Sequence, residues 1–254
     1  MAQMRPRGDG APPPPPVVKP LPPAAEFHFI RMQYVDYWGA RRGGFGGGGG
    51  RGRGWWMQDW PEAEMHFAQG IKRLTRIDIG ENRYLPLTDD RIFDYPWIYC
   101  TQAGYWDLSK AETDRLGEYL KRGGYLIVDD FYGMQDWEIF REAIERAMPG
   151  QPILDLAQDD QVMRTLYTIT ERTFIPGLRH LRRGPGGSIV TQPQEMPPIW
   201  RAVYDSKHRM VVAINFNMDV GDAWEHADWP EYPEAMTSLA YRFGINYIIY
   251  AMTH

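Results

Sequence analysis

Residues 123–140 read GGYLIVDDFYGMQDWEIF, and the reading of this stretch decides the fold class. Tyr125 to Val128 form an unbroken apolar run, the mark of a strand buried on both faces. Asp129 and Asp130 end that run, and a helix follows in which Asp136 is read as the cap and Trp137, Phe140, Ile144 and Ala147 share a face. Immediately upstream, DLSKAETDRLGEYLKRGG predicts another helix, opened by a capping box of Ser109 and Glu112 and closed by Gly123 and Gly124. DYPWIYCTQ before it predicts a strand. Strand, helix, strand, helix with apolar strands predicts an α/β fold, a parallel sheet with helices on both faces.

Outward from this centre, FHFIRMQY at 27–34 predicts a first strand, and a helix opens near Asp59 with Pro61 in its first turn. A short strand is expected at Ile77 to Ile79, and ENRYLPLTDD reads as a polar link. ILDL at 153–156 predicts a further strand, and residues 176–198 read as loop. IWRAVY and MVVAINF flank Asp205 to Arg209 as a β-hairpin, and Glu234 to Met252 predicts a closing helix.

The organisation expected is a Pro-rich tether at 1–25, too poor in apolar side chains to pack, and a single α/β domain at 26–254. A Gly/Arg-rich loop at 39–54 interrupts that domain, and its four arginines suit phosphate or an acidic partner. Residues 1–54 carry eight Lys or Arg against three Asp or Glu, so a chain of net charge −5 has a body near −10. Nucleic acid is not an expected partner of so acidic a body, because that binding rests on neutralising phosphates. Cys100 is the only cysteine, which rules out an intramolecular disulfide. No apolar run reaches the roughly 18 residues of a membrane span, and none follows Met1 as in a signal peptide. Periplasm or cell envelope is expected if a signal was removed ahead of this numbering, cytoplasm otherwise.

Ligands of such sheets gather outside the carboxyl ends of the strands, where Asp129 and Asp130 lie. The pair suits a metal ligand, a general base or an acceptor for sugar hydroxyls; equally, one of them suits a turn cap. Adjacent strand residues point to opposite faces, so both serve one site only if the strand has already ended. The segment NFNMDVGDAWEHADW at 215–229 supplies Asn215, Asn217, Asp219, Asp222, Glu225 and His226 beside Trp224. Oxygen donors of this kind suit a hard cation or sugar hydroxyls. With Tyr132 and Trp137, these residues make an acidic, aromatic groove at the sheet edge, with Trp224 read as an exposed stacking platform. No cofactor motif appears; a divalent cation, if bound, is expected on Asp129, Asp219, Asp222 and His226. Cys100 reads as a small core residue, and no serine elbow, phosphate loop or HExxH motif is present.

The blocks FHFIRMQY, GWWMQDWPEAEMHF, IFDYPWIYCTQAGYWDLSKAE, YLKRGGYLIVDDF, DSKHRMVVAINFNMDVGDAWE and GINYIIYAMTH span residues 26–254. In them the chain resembles the bacterial domain-of-unknown-function family 4159. The resemblance implies a flavodoxin-like, class I glutamine amidotransferase-like fold, and a place in an envelope assembly. It supplies no reaction. The glycine elbow around a nucleophilic cysteine and the downstream histidine–glutamate pair of glutamine amidotransferases are not seen, so glutaminase activity is not expected. Relatives carry an HPxFH-like motif where this chain reads DDQVMRTLY. Three functions stay open: binding of a glycan or envelope protein at the groove, metal-assisted hydrolysis through Asp129 or Asp130 with Asp219 and Asp222, and scaffolding through the Pro-rich and Gly/Arg-rich segments.

Overall fold

The computed structural model describes residues 25–36, 54–191 and 196–254. The tether expected at 1–25 and the loop expected at 39–54 lie outside these, apart from Ala25 and Gly54. The chain is a mixed α/β structure in the order β1 (Ile30–Gln33), α1 (Glu62–Leu74), β2 (Arg83–Pro86), β3 (Trp97–Thr101), α2 (Lys110–Lys121), β4 (Tyr125–Asp129) and α3 (Gly133–Ala147). There follow β5 (Ile153–Asp155), β6 (Leu181–Arg183), β7 (Ile189–Thr191), β8 (Ile199–Tyr204), β9 (Met210–Phe216), α4 (Val220–Glu225) and α5 (Glu234–Thr253). Seven strands form one sheet in the order β2-β1-β3-β4-β9-β8-β5. The first five are parallel, and β8 runs antiparallel to both β9 and β5.

The strands at the centre of the sheet are apolar because both faces are covered. Tyr125 and Ile127 of β4 point into the layer beneath α1, α4 and α5, with Phe67, Trp224 and Phe243. Leu126 and Val128 point into the opposite layer, beneath α2 and α3, with Leu116, Phe140 and Ile144. The capping box of α2 forms as its sequence predicts, Glu112 N–H donating to Ser109 Oγ at 3.2 Å and Ser109 N–H to Glu112 Oε2 at 2.9 Å.

Four local expectations are corrected. Ile77–Ile79 forms no strand; only a single bridge joins Ile79 to Phe27, and the pairing belongs to β2 inside the supposed polar link. β2 is an edge strand in which Leu85 alone is buried, so it tolerates Pro86 and shows no apolar run. Residues 176–198 contain the small β6–β7 hairpin. Helix α3 begins at Gly133, three residues before Asp136, whose carboxylate instead accepts the N–H of Tyr132 at 3.0 Å.

The last correction concerns Trp224. Short helix α4 turns its ring inward, where it is 1% exposed and stacks on Phe67 with centroids 4.0 Å apart and planes 14° from parallel. The acids around it in sequence face the other way, so their polarity says nothing of the ring between them. Trp224→Ala is therefore expected to cost about 3–5 kcal/mol of stability, as for other buried large aromatics. Chemical denaturation checks this; a loss under about 1 kcal/mol would return the residue to the surface.

Candidate functional site

The carboxyl ends of β3, β4 and β9 and the loop before α1 bring their polar residues to one edge of the sheet. Asp129, the last residue of β4, is fully buried on the α1 side. Its Oδ2 accepts the Tyr99 hydroxyl at 3.0 Å and the N–H groups of Val220 and Gly221 at 2.7 and 2.9 Å. Burial pushes the carboxyl up to about 7, while the amides of Gly221 and Val220 and the Tyr99 hydroxyl pull it down. Asp219 then caps α4, its Oδ1 accepting the N–H of Asp222 at 2.8 Å. Asp219 is held well above the usual carboxylate range by burial and by the charges of Asp130, Asp222, Asp59 and Asp129.

The strand has ended by Asp130, which takes a left-handed conformation with φ 51°. Both aspartates therefore serve the same edge. Asp130 accepts the side-chain N–H of Gln102 and, at 3.1 Å, that of Arg179. Burial raises its pKa well above the ordinary value against the pull of Arg179. The Arg179 guanidinium lies 4.4 Å over the Tyr132 ring, with 52% of its side chain exposed. Gln102, Asn217 and Asp59 share the left-handed conformation, with φ of 56°, 57° and 60°. Three of the four directly follow β3, β4 and β9, and backbone strain gathered in this way is a feature of working sites.

Asp59 arrives through β1. Arg31 of β1 is buried and forms an ion pair with Glu64 of α1. Its Nη1 donates to the carbonyls of Gln58 at 2.9 Å and Trp56 at 3.2 Å, and its guanidinium lies 4.9 Å from the Tyr99 ring centre. The pair thereby fixes the loop that carries Asp59. Burial and the Asp222 charge raise Asp59 to about 7. Oxygens of Asp59, Asp219 and Asp222 lie within 4.8 Å of one another, as do donor atoms of Asp222, Glu225 and His226. Gly177 lets this cluster close, because a Cβ there would sit 2.7 Å from Asp219 Oδ2 and 3.3 Å from Asp222 Oδ2.

Of the residues expected at a site, Asp129, Asp130, Asp219, Asp222, Glu225 and Tyr132 meet at this edge. Others do not. Trp137 lies in the opposite layer against Phe140 and Phe216, with the Arg201 guanidinium 4.2 Å from its ring. Asn215 is wholly buried and accepts the Tyr247 hydroxyl at 3.0 Å. Asn217 uses both ends of its amide on the backbone, accepting from Gly133 N–H at 2.9 Å and donating to the Pro197 carbonyl at 3.1 Å. Asn217 thus holds the frame, while Nδ2 of Asn215 is buried without a hydrogen-bond partner. Of the cation ligands expected, Asp219 and Asp222 converge with Asp59, and Asp222 and His226 with Glu225; Asp129 stands outside both sets, its Oδ2 taken by three donors and its Oδ1 buried without a partner. Asp59, Arg31, Glu64 and Arg179 escape sequence reasoning because each is brought in from a distant segment; Gln102 directly follows β3, the one positional signal that could have found it.

Five carboxyls of the cluster titrate higher in the folded chain than in the unfolded one: Asp130 and Asp219 well above the ordinary range, Asp59 and Asp129 at about 7, and Glu225, raised by burial and by Asp59 and Asp222, at about 8. Their stabilising contribution is complete below the unfolded carboxyl values near about 4 and is lost as pH rises through the raised folded values. Burial lowers the pKa of His226 and His180, so these two act in the opposite sense, but only below about 6.5. The metal-free protein is therefore expected to melt at a lower temperature at pH about 8.5 than at about 7, with Glu225→Gln shrinking that fall. Thermal melts in chelator check it.

Among the described residues no helix is long and apolar enough to cross a membrane. No curated protein matches the chain. A family model described as Domain of unknown function (DUF4159) matches residues 47–252, most of the chain, and the chain belongs to that family.

Proposed function

We propose that this domain is a divalent-cation-assisted hydrolase acting on an anionic, oxygen-rich substrate at the carboxyl edge of a flavodoxin-like sheet. The strand order β2-β1-β3-β4-β9 in parallel supports the flavodoxin-like reading, since it reproduces the 2-1-3-4-5 order of those sheets. A glutamine amidotransferase likeness then extends to the fold and not to the chemistry. Cys100 is buried in β3, receives the indole N–H of Trp106 at 3.2 Å, and has its thiol pushed up to about 12 by burial, the reverse of an activated nucleophile.

One observation carries the proposal: oxygens of Asp59, Asp219 and Asp222 converge within 4.8 Å at an edge that also holds Asp129 and Asp130. Hard divalent ions take such oxygen sets. A cation held there would lower the pKa of the water it binds and supply a nucleophile near neutral pH. Arg179, steered by Asp130 and Tyr132, would take the negative charge of the substrate.

A second reading, glycan holding without turnover, is favoured by Trp229. This ring is 46% exposed, lies 4.2 Å from the His226 ring, and offers the sugar platform that Trp224 does not. Metal content and a panel of phosphate esters, carboxylic esters and glycosides decide between them. The expected result is divalent ion bound by the purified chain, a rise in melting temperature with Mn²⁺, and hydrolysis abolished by chelator and reduced at least about 100-fold in Asp219→Asn. Metal binding and Trp229-dependent retention on a glycan array with no turnover would select the second reading. No metal binding would sink the first.

A further inference from the structure

Asp222 belongs to two convergent donor sets, one with Asp59 and Asp219 and one with Glu225 and His226. The second set is written into a single turn, since positions 222, 225 and 226 stand three and four apart and share one face of α4 and its cap. His226 is the independent observation. Its side chain is 8% exposed, its Nδ1 is buried without a hydrogen-bond partner, and its Nε2 stands 3.8 Å from Asp222 Oδ1, too far for a hydrogen bond. A buried imidazole left so is costly, and a cation that accepts the lone pair of one ring nitrogen removes that nitrogen's share of the cost.

We propose that the centre is binuclear, a second divalent cation being held by Asp222, Glu225 and His226, with Asp222 bridging it to the cation on Asp59 and Asp219. The inference rests on the cation reading given under the proposed function and adds the second ion. Ions sharing a carboxylate in this way lie about 3.5–4 Å apart, the separation at which one can hold an attacking water and the other the leaving oxygen. The two positions differ in character. The first is all oxygen and suits Mg²⁺ or Mn²⁺; the second, with an imidazole, suits Mn²⁺ or Zn²⁺. Mn²⁺ is the probe that fits both.

The test is equilibrium dialysis of the full chain against Mn²⁺, with electron paramagnetic resonance of the bound ion. Two Mn²⁺ per chain with an exchange-coupled signal are expected. His226→Ala and Glu225→Gln should each bind one Mn²⁺ with an uncoupled signal, and Asp222→Asn should lose the coupling. Melting of each variant in chelator shows that it is folded; Glu225→Gln keeps the test alive if His226→Ala is not. One Mn²⁺ in the unaltered chain, still bound in both variants, would overturn the second position and leave the first standing. Two uncoupled ions that persist in Asp222→Asn would overturn the bridge. No bound Mn²⁺ would overturn both readings.

Discussion

One carboxylate oxygen organises this edge of the molecule. Oδ2 of Asp129 gathers the Tyr99 hydroxyl from β3 and two consecutive backbone N–H groups from the start of α4. Strand β4, strand β3 and the segment after β9 are thereby tied at one point, and the six-residue helix α4 starts where it does because its first amides have an acceptor waiting. Removing that oxygen would leave three buried donors to find partners, at about 1–3 kcal/mol each. Asp129 is thus the anchor of the cluster, and it positions Asp219, Asp222 and Glu225, of which Asp219 Oδ1 accepts the N–H of Asp222 and Asp222 Oδ2 that of Leu178 at 2.6 Å.

The electrostatics follow from that clasp. Arg31 is a buried cation whose charge is answered first by Glu64; it holds the Gln58 carbonyl and hence Asp59, and its charge pulls the Asp59 carboxyl down against burial. Burying a pair of this kind gains little by itself, whereas leaving one member alone is expensive. Arg179 answers Asp130 at 3.1 Å. Asp59, Asp219 and Asp222 then face one another across a few ångströms, and the upward displacement of Asp59 and Asp219 is the signature of that mutual repulsion added to burial. Protons relieve it at low pH. At higher pH a divalent cation is the natural substitute.

The central architecture was legible in the chain because its signals are local. YLIVDD, DYPWIYCTQ and the Ser109–Glu112 capping box each announce an element within a few residues, and β3, α2 and β4 stand where those signals put them. The edge strand β2 was not legible, since one buried residue in four leaves no pattern. The site was legible in part. Asp129, Asp130, Asp219 and Asp222 declare themselves by lying just beyond apolar strands, a rule of position. Asp59 and Arg179 carry no such mark, because their roles arise only when segments about 160 and 40 residues away from Asp222 fold back upon it. Trp224 misled for a related reason: composition describes neighbours in sequence, whereas a helical turn sends adjacent side chains to different sides.

The left-handed residues show why this edge carries its strain. A strand alternates its side chains, so Asp129 and Asp130 could not face one ligand while both remained extended. Ending β4 at Asp129 and turning the next residue to φ 51° bring the second carboxylate round, and the same device at Gln102 and Asn217 ends β3 and β9 at a common level. Each such residue costs about 1–2 kcal/mol relative to an ordinary conformation. Asn217 recovers that cost locally, through bonds to Gly133 and Pro197. Asp130 and Gln102 bond to each other, and Asp130 also to Arg179, a half-exposed cation that answers its buried charge. The outcome is an arginine held beside a carboxylate cluster, with its guanidinium half in solvent.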